Sequence, residues 1–144
     1  MLIRGEWYLC DDGVTRPVIR GEVLAGDGSW VQAPFLVDSG ADRTVVSADI
    51  LQALNLPALA SPHQLAGIGG ISPAGVIQTQ IVFAREDRSR VTFRGQFAVL
   101  TEVTALDMSV LGRDITNLFA VIVDRPGDVV CLVGQEHRYL IQTK

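Results

Sequence analysis

Apolar and polar residues alternate with a period near two along most of the chain, a pattern that predicts strands. Pro17 to Leu24 and Trp30 to Val37 are rich in β-branched and aromatic residues, and Gly26-Asp27-Gly28-Ser29 between them reads as a hairpin turn. Val76 to Phe83 alternates over part of its length, and Val91 to Leu100 gives it a partner across the charged turn Glu86-Asp87-Arg88-Ser89. Ala120 to Asp124 and Val129 to Val133 flank Arg125-Pro126-Gly127-Asp128, a turn with its proline at a permitted position. Leu2 to Leu9 and Arg138 to Gln142 are expected as terminal strands. Helix is confined to two short segments. Ser47 caps one that runs through Asp49 and Leu54 and is stopped by Asn55-Leu56-Pro57. A second starts near Asp114 and runs to Leu118 or Phe119. The expected fold class is all-β, mainly strands with one or two short helices.

Length and composition narrow this picture. A chain of 144 residues fits a single domain over 1–144, because two would each have half that length. Hydrophobic residues make up 48% and charged residues 19%, enough to pack a core and too apolar for wholesale disorder. The net charge is −4 and the pI about 5.0, and no basic stripe is visible, so no nucleic-acid surface is expected. The N-terminus Met1-Leu2-Ile3-Arg4-Gly5-Glu6-Trp7 lacks a basic segment followed by an apolar run, which argues against a signal peptide. No apolar stretch approaches the roughly 20 residues needed to cross a bilayer, so no membrane partner is expected. Cys10 and Cys131 lie far apart and read as free thiols in a reducing compartment rather than as a disulfide. A cytoplasmic location is the expectation.

The chemistry concentrates in Phe35-Leu36-Val37-Asp38-Ser39-Gly40-Ala41-Asp42. An apolar strand ending in Asp-Ser-Gly places an ionisable side chain at the mouth of a turn rather than on a solvated face. Gly40 permits close backbone approach, and the Ser39 hydroxyl can bond neighbouring backbone groups. Alone, Asp-Ser-Gly is common in ordinary turns. Two further segments add to it: Met108-Ser109-Val110-Leu111-Gly112-Arg113-Asp114-Ile115, a strand running into a helix, and the glycine-rich Leu65-Ala66-Gly67-Ile68-Gly69-Gly70-Ile71.

With these three segments in this order the chain resembles the retroviral-protease (retropepsin) family of aspartic peptidases, over roughly residues 15 to 122. The resemblance implies a retropepsin-like acid-protease fold with the active site on a two-fold dimer axis, and an aspartic endopeptidase that needs no cofactor or metal. It implies Asp38 as the catalytic aspartate, Ser39 hydrogen-bonding across the axis, and Gly40 against the substrate backbone. Asp42 would pair with Arg113 to brace the loop, a role that a bidentate carboxylate–guanidinium contact also suits on physical grounds. Gly67, Ile68, Gly69 and Gly70 would form the flap tip over a peptide substrate. The interval from Asp38 to the flap is longer than in the compact viral enzymes, and about twenty residues follow the second helix, which leaves the mode of dimerisation open.

Aspartic peptidases use two carboxylates that share one proton. This chain carries one apolar-apolar-Asp-Ser-Gly segment, so the second aspartate must come from a second subunit. The other carboxylates, Asp11, Asp12, Asp27, Glu86, Asp87, Asp124 and Asp128, fall in predicted turns and read as solvated surface, and Asp107 similarly. His63 and His137 are isolated and form no metal motif, and no serine has the glycines of a nucleophile elbow. Gly67-Ile68-Gly69-Gly70 lacks the third glycine of a dinucleotide loop. The competing reading is a non-catalytic dimerisation or peptide-binding module on the same fold. Leu36, Val45, Ile68, Ile71 and Ile115 are candidates for an apolar cleft lining and equally for core.

Overall fold

The computed structural model describes residues 1–60, 65–67, 70–72, 74–102, 108–134 and 140–142. The central hairpins form where the alternation places them. Strand β3 (Thr15–Leu24) pairs antiparallel with β4 (Trp30–Val37), from Val18 opposite Leu36 to Leu24 opposite Trp30. Strand β9 (Ala74–Ala84) pairs with β10 (Arg90–Leu100) over the full length of both. The turns between them follow their side-chain chemistry: Asp27 accepts from the Ser29 backbone and hydroxyl, and Asp87 accepts from Ser89 in the same way. A second contact between β3 and β9, Glu22 opposite Val82 and Val23 opposite Ile81, curls the large sheet back on itself. Its full order is β2 (Glu6–Leu9), β3, β4, β11 (Ser109–Leu111), β5 (Val45–Val46), β10, β9 and β6 (Leu59–Ala60).

Inside this closed sheet lies one apolar cluster, with Ile19, Phe35, Leu54, Ile77, Ile81, Phe83 and Leu111 among its buried members. Phe35, Phe83, Phe93 and Phe119 follow one another edge to face at 5.7–6.3 Å between centroids. Helix α1 (Ala48–Leu54) closes one side and ends in a left-handed Asn55. Ser47 precedes it in an extended conformation, but its hydroxyl donates to Asp49 at 2.5 Å instead of accepting from the helix backbone.

Three expectations change. Leu2 to Leu9 is two strands, β1 (Leu2–Arg4) and β2, broken at Gly5, where an added Cβ would meet the Val18 carbonyl at 2.4 Å. At that point the chain crosses from one sheet to another, and Gly5 N–H donates to Val130 O at 2.7 Å. The second helix, α2 (Arg113–Thr116), is one turn rather than a run to Leu118. Leu140 to Gln142 form no strand, while Arg138 and Tyr139 lie outside the described residues.

The hairpin β12 (Ala120–Asp124) and β13 (Val129–Val133) forms as expected. It takes β1 as a third strand in the order β1-β13-β12. Val130 and Leu132 carry this small sheet onto the main core with Ile3. Trp7 Nε1 donates to Asp124 O at 3.1 Å while Arg125 lies over the Trp7 ring, which ties the hairpin to β2.

Candidate active site

Asp38 stands where two parallel strands end together. Strands β4 and β11 run side by side, with Val37 opposite Leu111, and Asp38 N–H donates to Leu111 O at 3.2 Å. The chain then loops through residues 38–44 and returns as β5 on the other side of β11, Val45 facing Val110. β11 is therefore threaded between the two strands that the Asp38 loop connects. Phe35 and Leu111 are fully buried and Val37 nearly so, which makes the base of the loop rigid. Asp38 itself is half-buried, and Ser39 and Gly40 are exposed. Gly40 N–H donates to Asp38 Oδ1 at 2.9 Å, which fixes one carboxylate oxygen.

Beneath the carboxylate, the segment after β11 grips the loop at four backbone or side-chain points. Arg113 N–H donates to Ala41 O at 2.8 Å and Asp114 N–H to Asp42 O at 3.3 Å. Arg113 Nη1 donates to Ser39 O at 3.0 Å and Nη2 binds the Asp42 carboxylate. The Asp42–Arg113 pair forms, but as a fork spanning a carboxylate and a carbonyl rather than as the bidentate contact expected. Asp42 is 82% exposed and Arg113 43%, so the ion pair itself adds little stability and serves to hold geometry.

Sequence reasoning missed the deeper half of this brace. Asp114 accepts from Thr44 N–H at 2.9 Å, from Thr44 Oγ1 at 2.7 Å and from Ile115 N–H at 3.0 Å. Thr44 is completely buried, and its hydroxyl oxygen in turn accepts from Gly112 N–H at 3.1 Å. Gly112 lies so close to the loop that a Cβ would stand 2.3 Å from the Arg43 carbonyl carbon, which excludes any larger residue. The signal in the sequence was Asp114 in the first turn of a helix that follows Gly112, and a threonine at the end of the loop, just before the apolar pair Val45-Val46. Ser47 N–H donates to the buried Ser109 hydroxyl at 3.0 Å, a second polar link between β5 and β11.

Of the flap residues, Gly67 and Gly70 face each other as the last pair of a small hairpin between β7 (Leu65–Gly67) and β8 (Gly70–Ser72). Ile68 and Gly69 lie outside the described residues, as do His63, His137 and Asp107. Of the candidate lining residues, Ile115 is buried in the core, while Leu36 and Val45 are half-buried on the strands beside the loop. The turn carboxylates are exposed. Bonding to Arg16 holds the Asp12 carboxyl down to about 2, and bonding to Ser29 and Ser89 lowers those of Asp27 and Asp87. Cys10 and Cys131 are free thiols, the second buried and its pKa raised by that burial.

Residues 21–115 match the family described as aspartyl protease. No curated protein matches the chain by sequence. Among solved structures it is similar to a retropepsin-like aspartic protease from Rickettsia conorii, at 20% identity and a TM-score of 0.57 over 92% of this chain and 88% of that one. EIAV protease in complex with an inhibitor matches at 19% identity and a TM-score of 0.48 over 71% of this chain and 86% of that one. The fold, a closed β-sheet with the Asp-Ser-Gly loop at one end, is retropepsin-like.

Proposed function

The chain belongs to the aspartyl protease family, and we propose that it is an endopeptidase active as a homodimer, each subunit supplying one Asp38 to a shared dyad. Family membership carries the coarse statement, an aspartic-type peptidase. The observation that carries the finer one is the one Asp-Ser-Gly aspartate of the sequence, half-buried and held rigidly at the end of two parallel strands. One such group lacks the second carboxylate that the chemistry requires.

In the dyad, one Asp38 is ionised and its mate protonated, because two carboxylates in contact cannot both ionise cheaply. The ionised group takes a proton from a water held between them as that water's oxygen bonds to the scissile carbonyl carbon. The protonated group donates toward the carbonyl oxygen, giving a tetrahedral diol. Collapse of the diol breaks the C–N bond as the amide nitrogen takes a proton, and the dyad regains its shared proton. Gly40 N–H on Asp38 Oδ1 supports this by holding the carboxylate in one orientation. Ser39 would bond across the axis, Gly40 would meet the substrate backbone, and the flap from Gly67 through Ile68 and Gly69 to Gly70 would cover the peptide. Asp42 and Arg113 position the loop.

Cleavage of a denatured protein at mildly acidic pH by the wild type, lost in Asp38→Asn with the fold retained, is the expected result. Equal cleavage by the variant would move the chemistry elsewhere. A folded protein that binds peptides and cleaves none would favour the binding-module reading.

A further inference from the structure

Ser109 occupies a place where the strand pattern calls for an apolar residue. It lies two positions before Leu111 on β11, on the same buried side, and is 1% exposed. A hydroxyl there costs stability unless it is bonded, and this one is bonded twice, both times to Ser47. Ser47 N–H donates to Ser109 Oγ at 3.0 Å, and Ser109 Oγ donates to Ser47 Oγ at 3.3 Å. Ser47 is equally buried, and its own hydroxyl donates to Asp49 Oδ1. The donors fall in one order only. An ionised carboxylate accepts and cannot donate, so the Ser47 hydroxyl points at Asp49 and leaves its oxygen to accept from Ser109. The Ser109 oxygen is then free to accept from Ser47 N–H. Asp49, on the exposed side of helix α1, thus anchors a chain of hydroxyls that ends inside the fold on β11.

The backbone alone holds this part of the fold thinly. Strand β5 is two residues long and meets β11 at one pair, Val45 opposite Val110. A single pair specifies register weakly, and the Ser47–Ser109 bonds add a second fix where β5 turns into α1. The consequence reaches Asp38, because the loop at residues 38–44 has both of its legs on β11. Its outgoing leg is held by Val37 opposite Leu111 and by Asp38 N–H on Leu111 O. Its returning leg is held by Val45 and, through Ser109, by Ser47. Ser109 itself stands opposite Phe35, on the strand that delivers Asp38.

We infer that Ser109 is a positioning residue for Asp38. Its hydroxyl fixes β5 against β11, and through β5 it sets the separation of the two legs of the catalytic loop. The inference rests on the aspartic-peptidase reading above and gives a role to a side chain outside the Asp-Ser-Gly and Gly-Arg-Asp segments. A catalytic pair must be held within about 0.5 Å of its productive geometry. Without the Ser109 hydroxyl, Ser47 N–H loses its acceptor in a buried place, and β5 shifts toward another one.

The test compares wild type, Ser109→Ala and Asp49→Ala, each as folded protein at concentrations where sedimentation shows the same assembly. Cleavage of a fluorescein-labelled unfolded protein gives kcat and KM, and amide hydrogen exchange is followed at residues 38–45. For Ser109→Ala the expected result is kcat lowered about tenfold or more with KM within about twofold, and faster exchange at Asp38 and Gly40. Asp49→Ala, a change at an exposed position, should lower kcat in the same way by about threefold. A Ser109→Ala protein that melts earlier but keeps the wild-type kcat overturns the positioning role, and so does a loss confined to KM. Should Ser109→Ala fail to fold, Asp49→Ala decides, and wild-type kcat and exchange in that variant overturn the inference. A wild type that cleaves nothing overturns the peptidase reading instead. Exchange then still decides whether Ser109 holds the loop, and equal rates at Asp38 with and without its hydroxyl overturn that claim.

Discussion

Asp114→Ala should be among the most damaging substitutions in the chain although its carboxylate does no chemistry. The side chain accepts three hydrogen bonds, two of them from Thr44, which has no exposure to water. Removal of the acceptor strands the buried Thr44 N–H and hydroxyl, although Asp114 is itself exposed and water can take up part of the vacated space. At about 1–3 kcal/mol per buried orphan, reduced for that access, and with the lost bond to Ile115 added, the expected cost is about 2–3 kcal/mol. That is a sizeable fraction of the roughly 5–15 kcal/mol that holds a domain of this size together. In urea, with a slope near 2 kcal/mol/M, the midpoint should fall by about 1 M. Asp114→Asn keeps one acceptor oxygen and should lose about 1–2 kcal/mol. Asp124→Ala, which removes an exposed turn carboxylate, should lose less than about 1 kcal/mol. A midpoint for Asp114→Ala within about 0.5 M of the wild type would refute the claim that this link carries the loop.

Three further outcomes follow from the same structure. Gly112→Ala should cost about 3 kcal/mol, because the new methyl meets the Arg43 and Thr44 backbone and neither can move aside, and a thermal melt equal to the wild type would contradict this. The folded-state pKa of Asp12 lies below its ordinary value of 3.8, so the stability it contributes is present above that value and is lost as pH falls toward about 2. Asp12→Asn should accordingly melt below the wild type at neutral pH and converge with it near pH 2, whereas a gap independent of pH would be inconsistent. In native protein a thiol reagent should label Cys10 first and Cys131 only on unfolding, and simultaneous labelling would show that the β13 layer is open.

Much of this architecture was legible from local pattern. The hairpins at residues 15–37, 74–100 and 120–133 depend on period-two alternation and on Asx-type turn residues, both of which act over a few neighbours. The break at Gly5 was not legible, because its cause is the approach of Val18 and Val130 from distant parts of the chain. The length of α2 was overread because Asn117-Leu118-Phe119 continue a helical pattern, whereas Phe119 is drawn toward Phe93 as the chain turns into β12. The position of the Asp38 loop at the end of a strand and the Asp42–Arg113 contact could be read because each lies in a short motif. The Asp114–Thr44 link could not, since its partners are 70 residues apart and neither carries a motif of its own.

The central claim, one catalytic aspartate from each of two chains, is tested most directly by mixing. Wild-type protein is unfolded and refolded with increasing proportions of Asp38→Asn at constant total concentration, and peptide cleavage is followed. If the dyad is shared, mixed dimers are dead and activity falls as the square of the wild-type fraction, to about one quarter in an equal mixture. If each chain carries a complete site, activity falls in direct proportion, to about one half, and the shared dyad is wrong.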